Sequence, residues 1–536
     1  MLKNNLSERS EPESVIKIET KEFVRQVDGD VFSMYEKKDL LGEGAFGAVY
    51  SVRLKGTRNN ELIRAMKIID KSKINASDSE NDTIKNEINV LKKIDHPNIM
   101  KIYEFYEDKD NFYIIAEFCD GSDVGKIMDK YGTFPEFLVK YIMYQVFQGV
   151  TYLHNLRIVH SDIKRENIAF VKISNNKLKP KKNVFEEIIK NNDIRQELNE
   201  APGHENLSPE AIKIVDDLAN YEVKIVDFGS AKVKKKNKKL HGITGTVYYC
   251  SPEIIREEYS SPCDVWSCGV MMYLLLSGRP PFLGNSEDEV FDKVLNEKVN
   301  LDIDELKDVS DSCKDLISKL LEKDEKKRIK ARDALKHKFF SEGINIGNLL
   351  KGKWKDNKDL LVKYATGKLK SLGSIKKENF KEAVIAYIVF KFMDKNEEIQ
   401  IKKVFRELSD ENQRYLITKD TFVNYMKKYC KDFSEKEIIQ LYDELDQNGS
   451  GNIEYEELMR ALCNKEKLLC EKNLMSAFKF FDRDNSGKIS LDEVADVVYQ
   501  GKEMPEDVVK EFLEEFGKTD NDTTIDYKEF LKIIRD

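Results

Sequence analysis

Two twelve-residue runs carry oxygen donors at intervals that suit a hard divalent cation. A calcium ion takes about six to eight oxygens at flexible distances, and a loop of this length supplies them from positions 1, 3, 5, 7, 9 and 12, with Gly at position 6 for the turn. DQNGSGNIEYEE offers Asp446, Asn448, Ser450, the Asn452 carbonyl, Glu454 and a bidentate Glu457 around Gly451. DRDNSGKISLDE offers Asp482, Asp484, Ser486, the Lys488 carbonyl, Ser490 and Glu493 around Gly487. Both read as calcium sites. They begin 36 residues apart, and the same step outward lands on DENQRYLITKDT at Asp410 and KTDNDTTIDYKE at Lys518. Four copies of one helix–loop–helix unit follow. The first has Arg414, Tyr415 and Thr421 at positions 5, 6 and 12, and is expected to bind no calcium. The fourth keeps Asp520, Asp522, Asp526 and Glu529 but opens with Lys518, an ammonium where a carboxylate belongs. It reads as a structural partner to its neighbour.

A chain of 536 residues exceeds one core, so two to four domains are expected. Hydrophobic residues at 40% and charged residues at 35% describe a globular protein with a highly charged surface, and a net charge of −8 argues against general nucleic-acid binding. No run approaches the roughly 18 apolar residues of a membrane span. The longest, GVMMYLLLSG at Gly269, reads as a buried helix, and with Leu at position 2 no N-myristoyl anchor is expected. The eight cysteines form no CxxC pair or zinc-type cluster. Reduced thiols and a cytoplasmic setting are the expectation.

The first half, from about Tyr35 to Phe340, has short β-branched and aromatic runs such as KIIDK and NFYIIAEF, then long helical periods after Thr133. That order predicts a small sheet-rich lobe followed by a larger helical one. Within it HSDIKRENI places Asp162, Lys164 and Asn167 together; LGEGAFGAV at Leu41 brings Gly42, Gly44 and Gly47; RAMKIID contains Lys67; Asp227, Phe228 and Gly229 follow later, then SPE at Ser251. In this order the motifs resemble the serine/threonine protein kinases. The resemblance implies ATP and magnesium. Asp162 would be the base and Lys164 would face the phosphate, while Asn167 and Asp227 would hold magnesium. Lys67 would reach the phosphates, with Glu87 as its partner on the following helix. Leu41, the three glycines, Val49 and Ala65 would line the nucleotide. Ala116 would be a small gatekeeper, with backbone of Glu117 and Cys119 facing adenine. Glu253 would pair with Arg328, and Glu166 and Asp123 would favour basic residues near a Ser or Thr acceptor.

Ser161 stands where the family carries an Arg that pairs with a phosphorylated activation loop. Its loss leaves phosphoryl transfer possible but removes the usual reader of loop phosphorylation. A kinase domain followed by four EF-hands resembles the calcium-dependent protein kinases. The implied architecture is α+β: a flexible extension over 1–34, a bilobal kinase domain over 35–340, an autoinhibitory junction over 341–394 and an all-α, calmodulin-like EF-hand domain over 395–536. In the junction, nine lysines fall between 351 and 377, ahead of an apolar stripe at Phe380, Val384, Tyr387 and Ile388. The basic run could sit in an acid-lined groove and the stripe in an opened EF-hand; a solvated linker leading into the first helix of the calcium domain is the alternative. One departure is an insert near 172–220 that separates Asn167 from Asp227, with a basic loop near Asn175–Lys182, a short helix at Val184–Ile189 and a capped helix from Ser208. A rival reading is a calcium-sensing pseudokinase scaffold, motivated by Ser161 and the insert. Lys67, Glu87, Asp162, Asn167 and Asp227 all stand against it.

Overall fold

The computed structural model describes residues 26–27, 30–44, 47–55, 63–73, 90, 94, 96–172, 183–235, 238–352, 379–393, 395–409, 416–429, 433–447, 449–498, 504, 506–518 and 524–535. They fall into two compact units, one within 24–356 and the other within 357–536.

The first unit opens with β1 (Gln26–Val27), β2 (Tyr35–Gly44), β3 (Gly47–Leu54), β4 (Ile63–Asp70), β5 (Ile102–Glu107) and β6 (Asn111–Glu117) in one sheet, ordered β1-β5-β6-β4-β3-β2. β1 runs parallel to β5 and the other neighbours are antiparallel. β5 and β6 are buried along nearly their whole length. That burial explains why IYEFY and NFYIIA read as continuous apolar runs and not as alternation. The one acid in this core, Glu104, accepts the hydroxyls of Tyr35 (2.8 Å) and Tyr106 (3.0 Å). A buried carboxyl is tolerated only with such partners.

The rest of the unit is mainly helical and centred on Glu136–Asn155 and Pro262–Ser277, both buried on nearly every side. The second helix carries the apolar run at Gly269 and ends where Gly278 turns left-handed (φ 82°). Glu253 and Arg328 meet as expected: guanidinium Nη2 donates to Glu253 Oε2 at 3.0 Å, Nη1 donates to the Pro262 carbonyl at 2.9 Å, and the group lies 5.1 Å over the Trp266 ring.

Strands Ile168–Lys172 and Tyr221–Ile225 pair antiparallel although the insert separates them. Residues 173–182, including the expected basic loop, lie outside the described residues. Helix Val184–Lys190 and helix Pro209–Leu218 appear, the latter with the Ser208 hydroxyl accepting the Ala211 amide. A third helix, Asn192–Glu200, escaped the sequence reading because only Ile194 and Leu198 form its buried stripe. The insert has its own contacts to the body: Phe185 packs on Phe170 (4.5 Å) and Tyr221 (5.1 Å), and Asn199 Oδ1 accepts the Phe137 amide.

The second unit contains four helix pairs, Lys395–Leu408 with Lys419–Tyr429, Glu435–Leu445 with Tyr455–Leu462, Glu471–Phe481 with Leu491–Val498, and Glu506–Phe516 with Tyr527–Arg535. Short strands join the loops two by two. Ile417 faces Ile453, and Ile489 faces Ile525. The helix Asn379–Phe392 precedes the pairs and belongs to this unit. It is not a one-sided stripe, because Phe380, Ala383, Val384, Ile385, Ala386, Tyr387, Ile388, Val389 and Phe390 are all buried. Phe380 packs on Phe481, Phe516 and Phe530, and Tyr387 stacks on Phe480 at 4.2 Å. Its first amides, Phe380 and Lys381, donate to the Glu515 carboxylate at 3.0 and 2.8 Å. An acid suits a helix N-terminus, where unpaired amides and the dipole both favour negative charge.

Candidate active site and calcium loops

The glycine-rich turn joins β2 to β3, with Gly42 opposite Val49 and Gly44 opposite Gly47. A side chain at Gly47 would collide with the Ile68 carbonyl, whereas one at Gly42 would meet nothing within 4 Å. The strand thus presents bare backbone to open space, which is what close approach to phosphates requires. Register then stacks the neighbouring positions: Val49 faces Lys67, and Ala65 faces Ala116. Ala116 is buried, at the end of β6. The Glu117 amide donates to the Lys101 carbonyl at 2.8 Å, so a contact from this residue to a base falls to its carbonyl. Cys119 is partly exposed just beyond the strand. Leu41 is exposed on β2. Glu87 lies outside the described residues.

Lys67 Nζ sits 3.4 Å from Asp227 Oδ1, across 160 positions of sequence. Asp227 holds a left-handed backbone (φ 61°). Desolvation pushes its carboxyl up, but the Lys67 ammonium and the His160 ring outweigh that and hold it below the usual carboxylate range.

Around Asp162 the contacts form a closed set. Lys164 Nζ lies 2.8 Å from Asp162 Oδ2, and the Thr246 hydroxyl donates to Asp162 Oδ1 at 2.9 Å while accepting from Lys164 Nζ at 2.9 Å. Asn167 Nδ2 donates to the Asp162 carbonyl (2.8 Å) and to Oδ2 (3.1 Å). Thr246 is a residue of this set that the sequence motifs above do not mark. Its position five residues before the SPE run was the available signal. The segment carrying it crosses the catalytic run closely, since a Cβ at Gly245 (φ 88°) would lie 2.6 Å from the Ser161 carbonyl.

Ser161 itself is buried in a left-handed conformation (φ 67°). Its amide donates to Asp264 Oδ1 at 2.8 Å, and Asp264 also accepts the His160 amide and the His154 ring. Burial raises the Asp264 carboxyl, yet His154, His160 and these amides hold it low. The backbone of the loop is therefore fixed without any contribution from the Ser161 hydroxyl, which has no partner among the described residues. Asp123 caps helix Val124–Tyr131 through the Lys126 amide, and Glu166 accepts from Arg165. Gly125 lies between the two acids.

In the third calcium loop, Asp482, Asp484 and Glu493 bring carboxylate oxygens within 4.8 Å of one another. Asp482 Oδ2 accepts the Gly487 amide (3.0 Å), Asp484 Oδ1 the Ser486 amide (2.8 Å), and Glu493 the amides of Arg483 and Ser490 (2.8 Å each). Ser486 Oγ reaches the Lys488 carbonyl at 3.2 Å, which gathers the position 5 and 7 oxygens. The donor set fits calcium. In the second loop Asp446 accepts the amides of Ser450 and Gly451, Ser450 Oγ donates to the Asn452 carbonyl at 2.8 Å, and buried Glu457 accepts the Glu454 amide at 2.9 Å. Asn448 lies outside the described residues. The fourth loop does not fit: Lys518 Nζ lies 2.8 Å from Glu529 Oε1, so a protein ammonium engages the position 12 carboxylate. That contact holds the Glu529 carboxyl below its usual range. The first loop offers Thr421, whose hydroxyl turns back to the Thr418 carbonyl.

A two-lobed fold with these paired residues, joined to helix–loop–helix pairs, is the architecture of a protein kinase linked to a calcium sensor. The model for the protein kinase domain matches residues 35–340, that for an EF-hand domain pair matches 471–535, and that for a single EF hand matches 443–462. Calcium-dependent protein kinase 5 of Plasmodium falciparum is 32% identical over 512 residues, covering 94% of this chain and 78% of the relative. Calcium-dependent protein kinase 4 of the same organism is 30% identical and calcium-dependent protein kinase 2 of Zea mays 28%, each over 86% of its length. The chain belongs to the calcium-dependent protein kinase family. It is a calcium-activated protein serine/threonine kinase, and the scaffold reading gains no support. Among the described residues no helix is long and apolar enough to cross a membrane.

Proposed function

We propose that this kinase transfers phosphate from Mg·ATP to Ser or Thr hydroxyls near basic residues, and that its EF-hands govern access to the cleft through the junction at 341–394. Bound Mg·ATP supplies the γ-phosphoryl group and the charge neutralisation that its transfer needs. Asp162 accepts the proton of the substrate hydroxyl. Lys164 and Thr246 hold it in place, and Lys164 offers positive charge where the phosphoryl oxygens pass. Asn167 and Asp227 are the metal-holding pair, and Lys67 faces the phosphates. Gly42, Gly44 and Gly47 cover the phosphates, while Leu41, Val49, Ala65 and Ala116 close on adenine beside Glu117 and Cys119. The closed contact set of Asp162, Lys164, Thr246 and Asn167 is the observation that carries this reading. The scattered spacing of the eight cysteines, with no CxxC pair, is the ground for a cytoplasmic setting.

The switch rests on the second unit. Calcium at Asp446–Glu457 and Asp482–Glu493 rearranges the helix pairs that enclose Asn379–Phe392, and so repositions the end of the junction. The Glu515 cap on that helix supports the coupling, because it ties the junction to the fourth pair. Loss of the loop-phosphate reader at Ser161 leaves calcium as the available control. Residues 353–378, which contain most of the lysine run, lie outside the described residues. Glu166 and Asp123, grouped beside Gly125, are the acids that favour a basic substrate.

The test is phosphate transfer from Mg·ATP to a basic serine peptide by the full chain, with calcium buffered low and then high, beside Asp162→Asn. Stimulation by calcium that is absent in the variant is expected. Transfer that ignores calcium would refute the switch, and a peptide library without Arg or Lys preference would refute the substrate assignment.

A further inference from the structure

Behind the cleft lies a buried ion pair that the transfer chemistry does not use. Lys224 is only 2% exposed, and its Nζ lies 2.7 Å from Glu117 Oε2. Lysine is almost never buried to this degree without a partner. Replacing such a pair by neutral groups of similar volume commonly leaves stability unchanged or raises it, so folding alone does not account for it.

Its placement supplies a reason. Glu117 ends β6, where the adenine-facing segment begins, and Lys224 lies on strand Tyr221–Ile225, three residues before Asp227. The segment Asn98–Lys101 is bonded to both. Glu117 N donates to the Lys101 carbonyl (2.8 Å), and the Lys101 amide reaches Glu117 Oε2 (3.4 Å). Met100 N donates to the Ile225 carbonyl (3.0 Å), Ile225 N to the Asn98 carbonyl (2.9 Å), and Lys224 Nζ to the Ile99 carbonyl (3.4 Å). The ion pair is where these two strands and the segment Asn98–Lys101 are locked together. It sets the distance from the adenine end of the cleft to the residue that holds the metal.

We propose that Lys224 and Glu117 are positioning residues for the nucleotide, acting through Asp227 at one end and the backbone beyond β6 at the other. This rests on the kinase reading above. A nucleotide must reach both ends at once, so slack between them weakens ATP binding more than peptide binding.

Lys224→Met, Glu117→Gln and the double variant, each in the calcium-saturated full chain, test it. Steady-state kinetics, calorimetric Mg·ADP binding and thermal melting are measured together. Each single variant is expected to raise KM for ATP and Kd for Mg·ADP about tenfold, with KM for peptide unchanged. The double variant should melt near the wild type yet keep the raised ATP values. Should the single variants not fold, the double variant and Glu117→Asp, which keeps the charge but shortens its reach, decide the matter. Wild-type nucleotide affinity in the double variant would overturn the proposal, as would equal loss toward ATP and peptide. If the wild type bound no Mg·ADP, the kinase reading and not this pair would be at fault.

Discussion

In the cleft, each carboxylate has a cation of the protein's own beside it: Lys164 stands 2.8 Å from Asp162, and Lys67 3.4 Å from Asp227. In the third calcium loop, Asp482, Asp484 and Glu493 crowd together with only amides and hydroxyls among the described residues to hold them. The fourth loop shares a strand pairing with the third but follows the logic of the cleft, since Lys518 engages Glu529. Three carboxylates without an ammonium repel one another until a cation joins them, so their geometry responds to ion concentration. Carboxylates already paired with Lys lack that mutual repulsion, so their geometry depends less on an ion. The difference explains why calcium control lies in the second half.

The contrast can be broken from either side. Asp162→Asn should lower kcat at least about 100-fold while leaving calcium binding by calorimetry unchanged. A loss in both would mean that the two regions are not separable as argued. Glu493→Gln comes next. A shift from 1% to 99% active needs a preference of about 5.5 kcal/mol, so two loops must each bind roughly 100-fold tighter in the active state. The variant should therefore lose activation at ordinary calcium levels, and full stimulation would place an ion in the fourth loop. Lys518→Asp sharpens the comparison within one EF-hand pair. It is expected to add one further calcium ion per chain in a titration, and an unchanged stoichiometry would show that the ammonium is not what excludes the ion. The smallest effect is reserved for Ser161→Ala. The buried hydroxyl has no partner among the described residues, so its removal should change kcat less than about twofold and stability by about 1 kcal/mol or less in the stabilising direction, read by peptide kinetics and denaturant melts.

Much of this was legible in the chain because the chemistry lies in short runs. The calcium ligands are ordered by one turn each, so spacing locates them, and the residues of HSDIKRENI lie on one tight loop, so the likeness to the kinase motif locates them. Thr246 was passed over because its partners Asp162 and Lys164 lie more than eighty positions away. Lys224 gave no sign either: in KIVDFG it looks like a solvated strand residue, and only the approach of Glu117 makes it a buried ion. The helix Asn379–Phe392 read as a stripe because periodicity registers one apolar face at a time. Its burial on all sides comes from five surrounding helices that no local pattern contains.

Identity of donors, their order and the charge at loop position 1 were settled locally, by covalent neighbours within a dozen residues. Folding decided which distant groups meet: Lys67 with Asp227, Thr246 with Asp162, Glu515 with the amides of Phe380 and Lys381, and Lys224 with Glu117. The physical reason is range. A turn or a ligand loop is closed by backbone geometry alone, whereas an ion pair between remote strands exists only once the core has brought them together and excluded the water that would otherwise screen it.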